Sequence, residues 1–293
     1  MARFLDQQKQ MAFFYAEQDA ACYDDTVELT QPSYWQLHDT IVDLFRYHFG
    51  AWTTERAAAV RCSVLDVGCG TGVEGFRLLD AFPSIHLLGA DFCQPMLEQF
   101  ERKLAAKYGT AEWPSKCTLS LLDILDDGLN AGTILSSLPQ GAPELKAIVT
   151  AFALHHYTAE EKLRAYRLFF DLLPAGGLLV YGDLFSYESP TVASYAQLHE
   201  ERWILDSFSN PNEEVRGRLG EMAKNTEVLR ELWIEHLRRY NIPTPIEHGW
   251  TRPHGSSNGA PAESEVLLLR SAGFVEIACP YRYFQAGIIW AKK

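Results

Sequence analysis

Two patterns of apolar and polar positions alternate along residues 61–185. Short apolar runs rich in β-branched residues predict strands at 62–67, 85–90, 117–122, 147–151 and 178–181. Between these runs, apolar residues recur every three or four positions, which predicts amphipathic helices. Strands that alternate with helices favour a parallel sheet covered on both faces.

Start and stop signals support this division. Thr158 and Glu161 have the spacing of a capping box, and Pro174 with the following glycines ends the helix that the box begins. Near the C-terminus, a helix at 265–271 is predicted to end at Gly273. Two further apolar runs then predict a sixth and a seventh strand at 274–279 and 283–291.

Two regions depart from this rhythm. Residues 1–60 are aromatic-rich and helical in pattern, with apolar positions spaced from Leu37 to His48. We interpret them as a lid over the first βα turn, and the alternative is that their aromatic residues only cover one edge of the sheet. Residues 186–250 show no convincing strand but contain an amphipathic pattern from Leu229 to Tyr240. We predict that this insertion is a helical cap that covers a substrate.

The first βα turn is rich in glycine. Residues 64–72 read VLDVGCGTG, a buried strand that runs into three alternating glycines and then into a helix. Such a turn binds nucleotides, because glycine allows the backbone to turn sharply and approach the ligand without a Cβ in the way. Residues 70–75 also fit G-x-G-x-x-G, and Asp91 lies at the distance of a ribose-binding acid. The spacing alone therefore does not distinguish NAD from another adenosine cofactor.

Three features favour S-adenosylmethionine over a dinucleotide. Asp66 precedes the first glycine by two residues, where a carboxylate would repel a pyrophosphate but tolerate an ammonium group. Asp123 follows the third strand, where it could accept a hydrogen bond from an adenine amino group. No second glycine-rich turn or nicotinamide-side motif is evident. We expect the ribose hydroxyls on Asp91, the adenine near Phe92 and Asp123, and the amino-acid portion over the glycines.

Further motifs follow in a fixed order. They are GADFCQPML at 89–97, LLDILD at 121–126, AFALHHY at 151–157, LLPAGGLLVYGDL at 172–184 and LLRSAGF at 268–274. Together with VLDVGCGTG, this series resembles the class I S-adenosylmethionine-dependent methyltransferases over roughly residues 60–185 and 262–293. The long insertion after strand five departs from that pattern, so the identity of the substrate is not carried over.

The resemblance implies an α/β fold with a doubly wound, seven-stranded and mostly parallel Rossmann-like sheet. The strand order would be 3-2-1-4-5-7-6, with the last strand antiparallel. Residues 61–185 and 251–293 would form the cofactor-binding domain, flanked by the N-terminal helical extension at 1–60 and the insertion at 186–250. The positions expected to contact the cofactor are Tyr23, Asp66, Gly68, Cys69, Gly70, Gly72, Asp91, Phe92, Met96, Asp123, Ile124, Ala151 and Phe152.

Methyl transfer to an oxygen or nitrogen also releases a proton, which a general base can accept. His155 and His156 follow strand four and Asp183 ends strand five, so all three lie at the edge where ligands bind in such sheets. A histidine oriented by an aspartate is suited to this role, and some natural-product sugar methyltransferases carry a similar set. We predict these residues as catalytic, with His156 slightly ahead of His155. The alternative is that the histidine pair only caps the following helix.

The composition of the chain limits the classes of partner that it is expected to bind. The formal net charge of −12 and the lack of a basic run disfavour nucleic acid and anionic membranes. Six scattered cysteines without a metal-like spacing, and no signal or membrane-spanning pattern, favour a cytoplasmic protein without a metal site. The leading hypothesis is a methyltransferase for a small-molecule acceptor in secondary metabolism. A methyltransferase for tRNA or protein, and a cofactor-binding protein without turnover, stay open, as does the oligomeric state.

Overall fold

A computed structural model describes residues 23, 24, 27, 31–209 and 260–293. Its centre is a seven-stranded sheet with the order β3-β2-β1-β4-β5-β7-β6. The strands are β1 (Ser63–Val67), β2 (His86–Asp91), β3 (Cys117–Leu121), β4 (Leu145–Ala151), β5 (Leu178–Leu184), β6 (Glu276–Tyr283) and β7 (Ala286–Lys292). Strands β1 to β5 pair in parallel, whereas β7 runs antiparallel to both β5 and β6. The predicted fold and strand order are confirmed.

Helices cover both faces of this sheet. In the described part of the chain they are α1 (Tyr34–Phe49), α2 (Thr54–Ala59), α3 (Val73–Ala81), α4 (Gln94–Tyr108), α5 (Ala131–Ser136), α6 (Ala159–Leu172), α7 (Pro190–Ser209) and α8 (Ala262–Ala272). Two short 3₁₀ turns lie at Trp113–Ser115 and Leu154–His156. The capping box at Thr158 and Glu161 begins α6, as predicted.

The central strands are buried on both faces, which explains their nearly continuous apolar runs. One core packs α1, α3 and α4 against the sheet, with Phe45 and Phe100 fully buried within it. The other core lies on the opposite face and packs α5, α6 and α8, with Tyr166 and Phe169 fully buried. This double cover leaves the carboxyl ends of the parallel strands as the edge where loops can form a site.

The last two strands differ from their predicted bounds. The sixth strand was predicted to end at Cys279, but β6 extends to Tyr283. Pro280 lacks a backbone N–H and coincides with a register shift between Ala278 and Tyr281, after which pairing with β7 resumes. A proline at a bulge therefore interrupts the ladder without ending the strand.

The N-terminal extension contributes to the core. Leu37 and Ile41 of α1 are fully buried, and a Cβ at Gly182 of β5 would lie within 3.0 Å of both side chains. Residues 210–250 of the predicted cap, including the pattern from Leu229 to Tyr240, lie outside the described residues. The proposed division into lid, cofactor domain and cap stays a prediction. No described helix is long and apolar enough to cross a membrane.

Candidate active site

A cleft opens at the carboxyl ends of β1, β2 and β4, beside the glycine turn. It holds about 920 Å³ of empty space, which includes the solvent at its mouth. Most of the predicted cofactor positions line it, namely Tyr23, Asp66, Gly68, Cys69, Gly70, Asp91, Phe92, Met96, Ile124, Ala151 and Phe152. The sheet topology thus brings together residues from four separate motifs.

Two glycines of the turn are required by close packing. Gly68 has a φ of +68°, and a Cβ there would lie 2.4 Å from the Cβ of Ala153. Gly72 has a φ of +90°, and a Cβ there would lie 2.1 Å from the ring of Phe100. Gly72 therefore shapes the turn from behind, by packing on α4, whereas Gly70 has open space at its Cβ position.

Asp91 fixes the turn to the end of β2. Its Oδ2 accepts a hydrogen bond of 2.8 Å from the Gly70 N–H, and its Oδ1 accepts one of 2.8 Å from the Cys93 N–H. Burial raises the pKa of Asp91, and these backbone N–H groups only partly offset that effect. A carboxylate has about four acceptor sites, so Asp91 keeps acceptor capacity for a ribose hydroxyl beside these backbone donors.

Asp66 is a buried carboxyl group in the wall of the cleft. Its side chain is 1% exposed, and its Oδ2 has no hydrogen-bond partner in the described part of the chain. Burial raises the pKa of Asp66 well above its usual range, and the neighbouring Glu74 and Asp91 raise it further. An ammonium group would supply the missing donor and the missing charge, so this wall fits S-adenosylmethionine better than a pyrophosphate.

Asp123 is placed differently from the other acids. It is buried after β3, where its Oδ1 accepts a hydrogen bond of 2.9 Å from the Leu125 N–H. Its neighbours Leu122 and Ile124 form the adjoining wall of the cleft. Contact between Asp123 and an adenine amino group stays a prediction.

The predicted histidine–aspartate pair forms through His155. The His155 Nδ1 lies 2.5 Å from Asp183 Oδ1, while Asp183 Oδ2 accepts hydrogen bonds of 2.9 Å from the N–H groups of Leu154 and His155. Burial alone raises the pKa of Asp183, but His155, Lys162 and the Leu184 N–H outweigh burial and hold this pKa below its usual range. The His156 backbone belongs to the same 3₁₀ turn, and its side chain lies outside the described part of the structure.

The N-terminal segment is tied to the glycine turn. Thr71 Oγ1 donates a hydrogen bond of 2.5 Å to Asp24 Oδ1, and Lys103 forms an ion pair with the same carboxylate. The neighbouring Tyr23 packs on Cys93 and Met96 at the rim of the cleft. This contact is consistent with the predicted role of Tyr23 in covering the cofactor.

A second histidine–carboxylate pair lines the cleft and was missed at the level of sequence. The His38 Nδ1 of α1 lies 2.5 Å from the Glu74 Oε2 of α3, and both side chains are buried. Tyr34 stacks on Phe152, whose φ of +51° marks a strained backbone beside them. The sequence does contain one signal for His38, because this polar residue directly follows Leu37 in the apolar stripe of α1.

Part of the chain is similar to known methyltransferases. A family model described as a methyltransferase domain matches residues 64–177, which run from β1 to the turn before β5. An uncharacterized methyltransferase of Oceanobacillus iheyensis is 27% identical over 164 residues. That match covers 56% of this chain and 62% of the relative, so the chain spans less than two thirds of the relative's length.

Solved structures share the fold at low identity. A chain from Methanococcus maripaludis, assigned as an S-adenosyl-l-methionine-dependent methyltransferase, is 15% identical with a TM-score of 0.51 and covers 94% of this chain and 93% of its own. A candidate exported protein of Bordetella parapertussis is 16% identical with a TM-score of 0.52 and covers 87% and 66%. At these identities the likeness shows the architecture alone.

The matched domain, the strand order and the cleft agree. The match over residues 64–177 and the strand order support the resemblance to the class I S-adenosylmethionine-dependent methyltransferases that the motifs predict. Asp66 with the glycine turn forms a wall that suits S-adenosylmethionine, the cofactor predicted from the motifs.

Proposed function

We propose that this protein is an enzyme that transfers the methyl group of S-adenosylmethionine to an oxygen or nitrogen of a small-molecule acceptor. The observation that carries the proposal is the cleft at the carboxyl edge of the sheet. There the glycine turn, Asp91 and Asp66, whose Oδ2 has no hydrogen-bond partner among the described residues, lie within a matched methyltransferase domain.

The cofactor supplies a methyl group activated by a sulfonium, so the protein mainly binds, orients and excludes water. We assign the ribose to Asp91, the adenine to the wall of Phe92, Ile124 and Asp123, and the amino-acid portion to the glycine turn. Ala151 and Phe152 lie opposite that turn, and Tyr23 with Met96 covers the cleft at its rim.

His155 is proposed as the general base. Its Nδ1 contacts Asp183, an arrangement that orients the ring and leaves the lone pair of a neutral imidazole on Nε2. Leu154 and Tyr157, which flank the histidine pair, line the cleft, so this turn borders the space where an acceptor would lie. His156 stays a second candidate.

The small-molecule assignment is supported by charge. A net charge of −12 disfavours tRNA, because phosphate recognition needs clustered lysine and arginine. The five cysteines in the described residues are free thiols, which fits the proposed cytoplasmic location. The tRNA or protein acceptors and the non-catalytic cofactor-binding protein remain the competing hypotheses.

Cofactor choice is tested by calorimetric titration of the full chain with S-adenosylmethionine, S-adenosylhomocysteine and NAD. We expect the two sulfur-containing ligands to bind and NAD not to bind. Tight binding of NAD alone would overturn the cofactor assignment.

Turnover is tested with S-adenosylmethionine carrying a tritiated methyl group. The full chain is incubated with a small-molecule extract, with tRNA or with protein from the same source. We expect label in a component of the small-molecule extract. Label in tRNA or protein would favour that acceptor instead, and intact cofactor binding without transfer to any of the three would favour the non-catalytic protein.

The base is tested by His155→Ala, with His86→Asn as a control at a buried histidine that hydrogen-bonds Thr118 away from the cleft. Loss of a general base typically slows the chemical step about 100-fold or more. We expect that loss in kcat, together with the loss of the alkaline rise in the pH–rate profile and an unchanged affinity for S-adenosylhomocysteine. Unchanged kcat in His155→Ala would contradict the assignment.

A further inference from the structure

A buried ion pair joins α6 and α8 on the face of the sheet opposite α1. Lys162 of α6 is 1% exposed, and its ammonium group pairs with the carboxylate of Glu265 of α8, which is fully buried. The second oxygen of that carboxylate, Oε2, accepts a hydrogen bond of 2.5 Å from the Tyr166 hydroxyl. The motifs and the proposed methyl transfer assign no role to these three side chains.

The burial of this pair is unusual for the molecule. Among the lysine–carboxylate pairs of the described residues, it is the one in which both side chains are almost fully buried. Taking two charges out of water costs about as much as their attraction returns, and apolar side chains of similar volume often replace such a pair without loss of stability. The position of Lys162 therefore points to an effect on neighbouring charges rather than to stability.

Lys162 lies close in the fold to the pair of His155 and Asp183. Helix α6 begins directly after the 3₁₀ turn that holds His155, and Lys162 belongs to the first turn of that helix. One turn further, the ring of Tyr166 lies 6.1 Å from the ring of Tyr181. Tyr181 precedes Asp183 by two residues in β5, so the two side chains share one face of the sheet.

The titratable groups around Asp183 come from four elements. They are His155 of the 3₁₀ turn, Lys162 and Tyr166 of α6, Tyr181 of β5 and Glu265 of α8. Burial raises the pKa of both tyrosines well above its usual range, so the phenols stay neutral. Burial alone also raises the pKa of Asp183, but His155 and Lys162 act against it. Among these described groups, His155 and Lys162 are the two that can carry a positive charge.

We propose that Lys162 is a positioning residue for the general base, because its charge keeps Asp183 ionised as the partner of His155 Nδ1. Glu265 holds the ammonium group of Lys162 in place and, in this buried setting, keeps it protonated. Helix α8, which follows the insertion in the chain, thereby contributes to the active site from behind. This assignment rests on the proposed function, in which His155 is the base.

The charge of Lys162 also has a consequence for the protonation of His155. A nearby positive charge disfavours a second one, whereas the carboxylate of Asp183 favours the imidazolium. Removing the charge of Lys162 should therefore favour the protonated ring. The midpoint of the His155 titration should then move to higher pH, and less of the ring would be neutral and able to accept a proton near pH 7.

The role of Lys162 is tested by following the ring signals of His155 against pH by NMR in the full chain without ligand. His155→Asn identifies these signals by their loss. In Lys162→Met, an apolar side chain of similar length replaces the charge, and we expect the midpoint to rise by about half a pH unit or more. The acid limb of the pH–rate profile for methyl transfer should move in the same direction.

Two control variants separate this effect from others. Lys292→Met makes the same change in a lysine that pairs with Glu276 at 3.0 Å, and Lys292 lies opposite Leu178 at the other end of β5. Phe169→Leu changes a fully buried residue of α6 and costs stability without changing a charge. We expect both variants to keep the His155 midpoint of the wild-type protein.

A further variant covers a failure of Lys162→Met to fold, since this change leaves Glu265 buried without its partner. Lys162→Met/Glu265→Gln removes both charges, and the amide oxygen of the glutamine still accepts from the Tyr166 hydroxyl. Because Lys162 is among the main groups that act on Asp183, we expect a smaller rise of the midpoint here. No rise in the folded variant, or an equal rise in either control, would overturn the positioning role.

Failure of the proposed function would look different. Absence of methyl transfer by the wild-type protein, or unchanged kcat in His155→Ala, would contradict the base, while the NMR titration would still decide whether Lys162 acts on the pair. An active enzyme whose His155 midpoint does not respond to the loss of the Lys162 charge would contradict the positioning role alone.

Discussion

The His155–Asp183 and His38–Glu74 pairs have the same contact distance, but their carboxylates differ in how many of their oxygens accept further hydrogen bonds. In both, an imidazole Nδ1 lies 2.5 Å from a buried carboxylate oxygen. Asp183 is saturated, because its two oxygens also accept from three backbone N–H groups, those of Leu154, His155 and Leu184. Glu74 is unsaturated, since its second oxygen has no partner in the described structure.

This difference indicates that Asp183 mainly stabilises the fold, whereas Glu74 is available to bind a ligand. A carboxylate that satisfies backbone donors on two elements stabilises their geometry whether or not a ligand is present. One that keeps a buried oxygen unpaired contributes less to the fold and retains hydrogen-bonding capacity for a ligand. We therefore expect changes at Asp183 to affect stability first and changes at Glu74 to affect cofactor affinity first.

The largest expected effect is that of Asp183→Ala. Removing this side chain leaves three buried backbone N–H groups and His155 without their acceptor, and breaking a buried pair typically costs about 3–5 kcal/mol. We expect a loss of that size in the free energy of unfolding, measured by urea denaturation at pH 7. Asp39→Ala removes an exposed carboxylate that pairs with Arg77 on the surface and should cost less than about 1 kcal/mol.

The pH dependence of the same variant has a defined sign. Because the folded pKa of Asp183 lies below its unfolded value, its contribution is complete above a pH of about 4 and is lost as pH falls through the folded pKa. The stability difference between wild type and Asp183→Ala should therefore shrink in acid. If the free energies of unfolding of wild type and Asp183→Ala differ by less than about 1 kcal/mol at pH 7, Asp183 does not stabilise the fold as proposed.

The sequence predicts that Asp183 pairs with one of His155 and His156, with His156 slightly ahead, and it misses the pair of His38 and Glu74 for a geometric reason. Asp183 and His155 each end or follow a parallel strand, and adjacent strands place such residues at one edge. His38 and Glu74 lie on two helices, and their contact depends on how each helix is rotated against the sheet. Apolar periodicity shows which face is buried, but it does not identify which polar residue of α1 meets which residue of α3.

The same limit applies within the site. Asp66, Gly68 and Asp91 line the cleft, and the sequence predicts them because strand, turn and next strand are local features. Asp123 was predicted by the same rule, but its carboxylate accepts from the Leu125 N–H while Leu122 and Ile124 form the wall. Where a loop turns directly after the strand, strand periodicity no longer determines where the side chain points.

An intermediate effect is expected for Asp66→Asn, and it is stabilising. The folded pKa of Asp66 is raised, so the wild-type protein loses stability as pH rises above the unfolded value of about 4. Removing that charge should raise the free energy of unfolding by about 1–3 kcal/mol at pH 8 without ligand, and by less toward pH 4. Thermal and urea unfolding at pH 8 and pH 5 measure this, and a destabilised variant at pH 8 would contradict it.

The smallest expected effect is that of replacing both members of the unsaturated pair, in His38→Leu/Glu74→Leu. Removing two buried polar partners together leaves no orphaned group and is often nearly neutral, so we expect a stability change within about 1 kcal/mol. Binding of S-adenosylhomocysteine should weaken strongly while 5′-methylthioadenosine still binds. The matched variant His155→Leu/Asp183→Leu orphans the N–H groups of Leu154, His155 and Leu184 and should be far less stable. Equal stability losses in the two double variants would remove the distinction between a pair that holds the fold and a pair that serves the ligand.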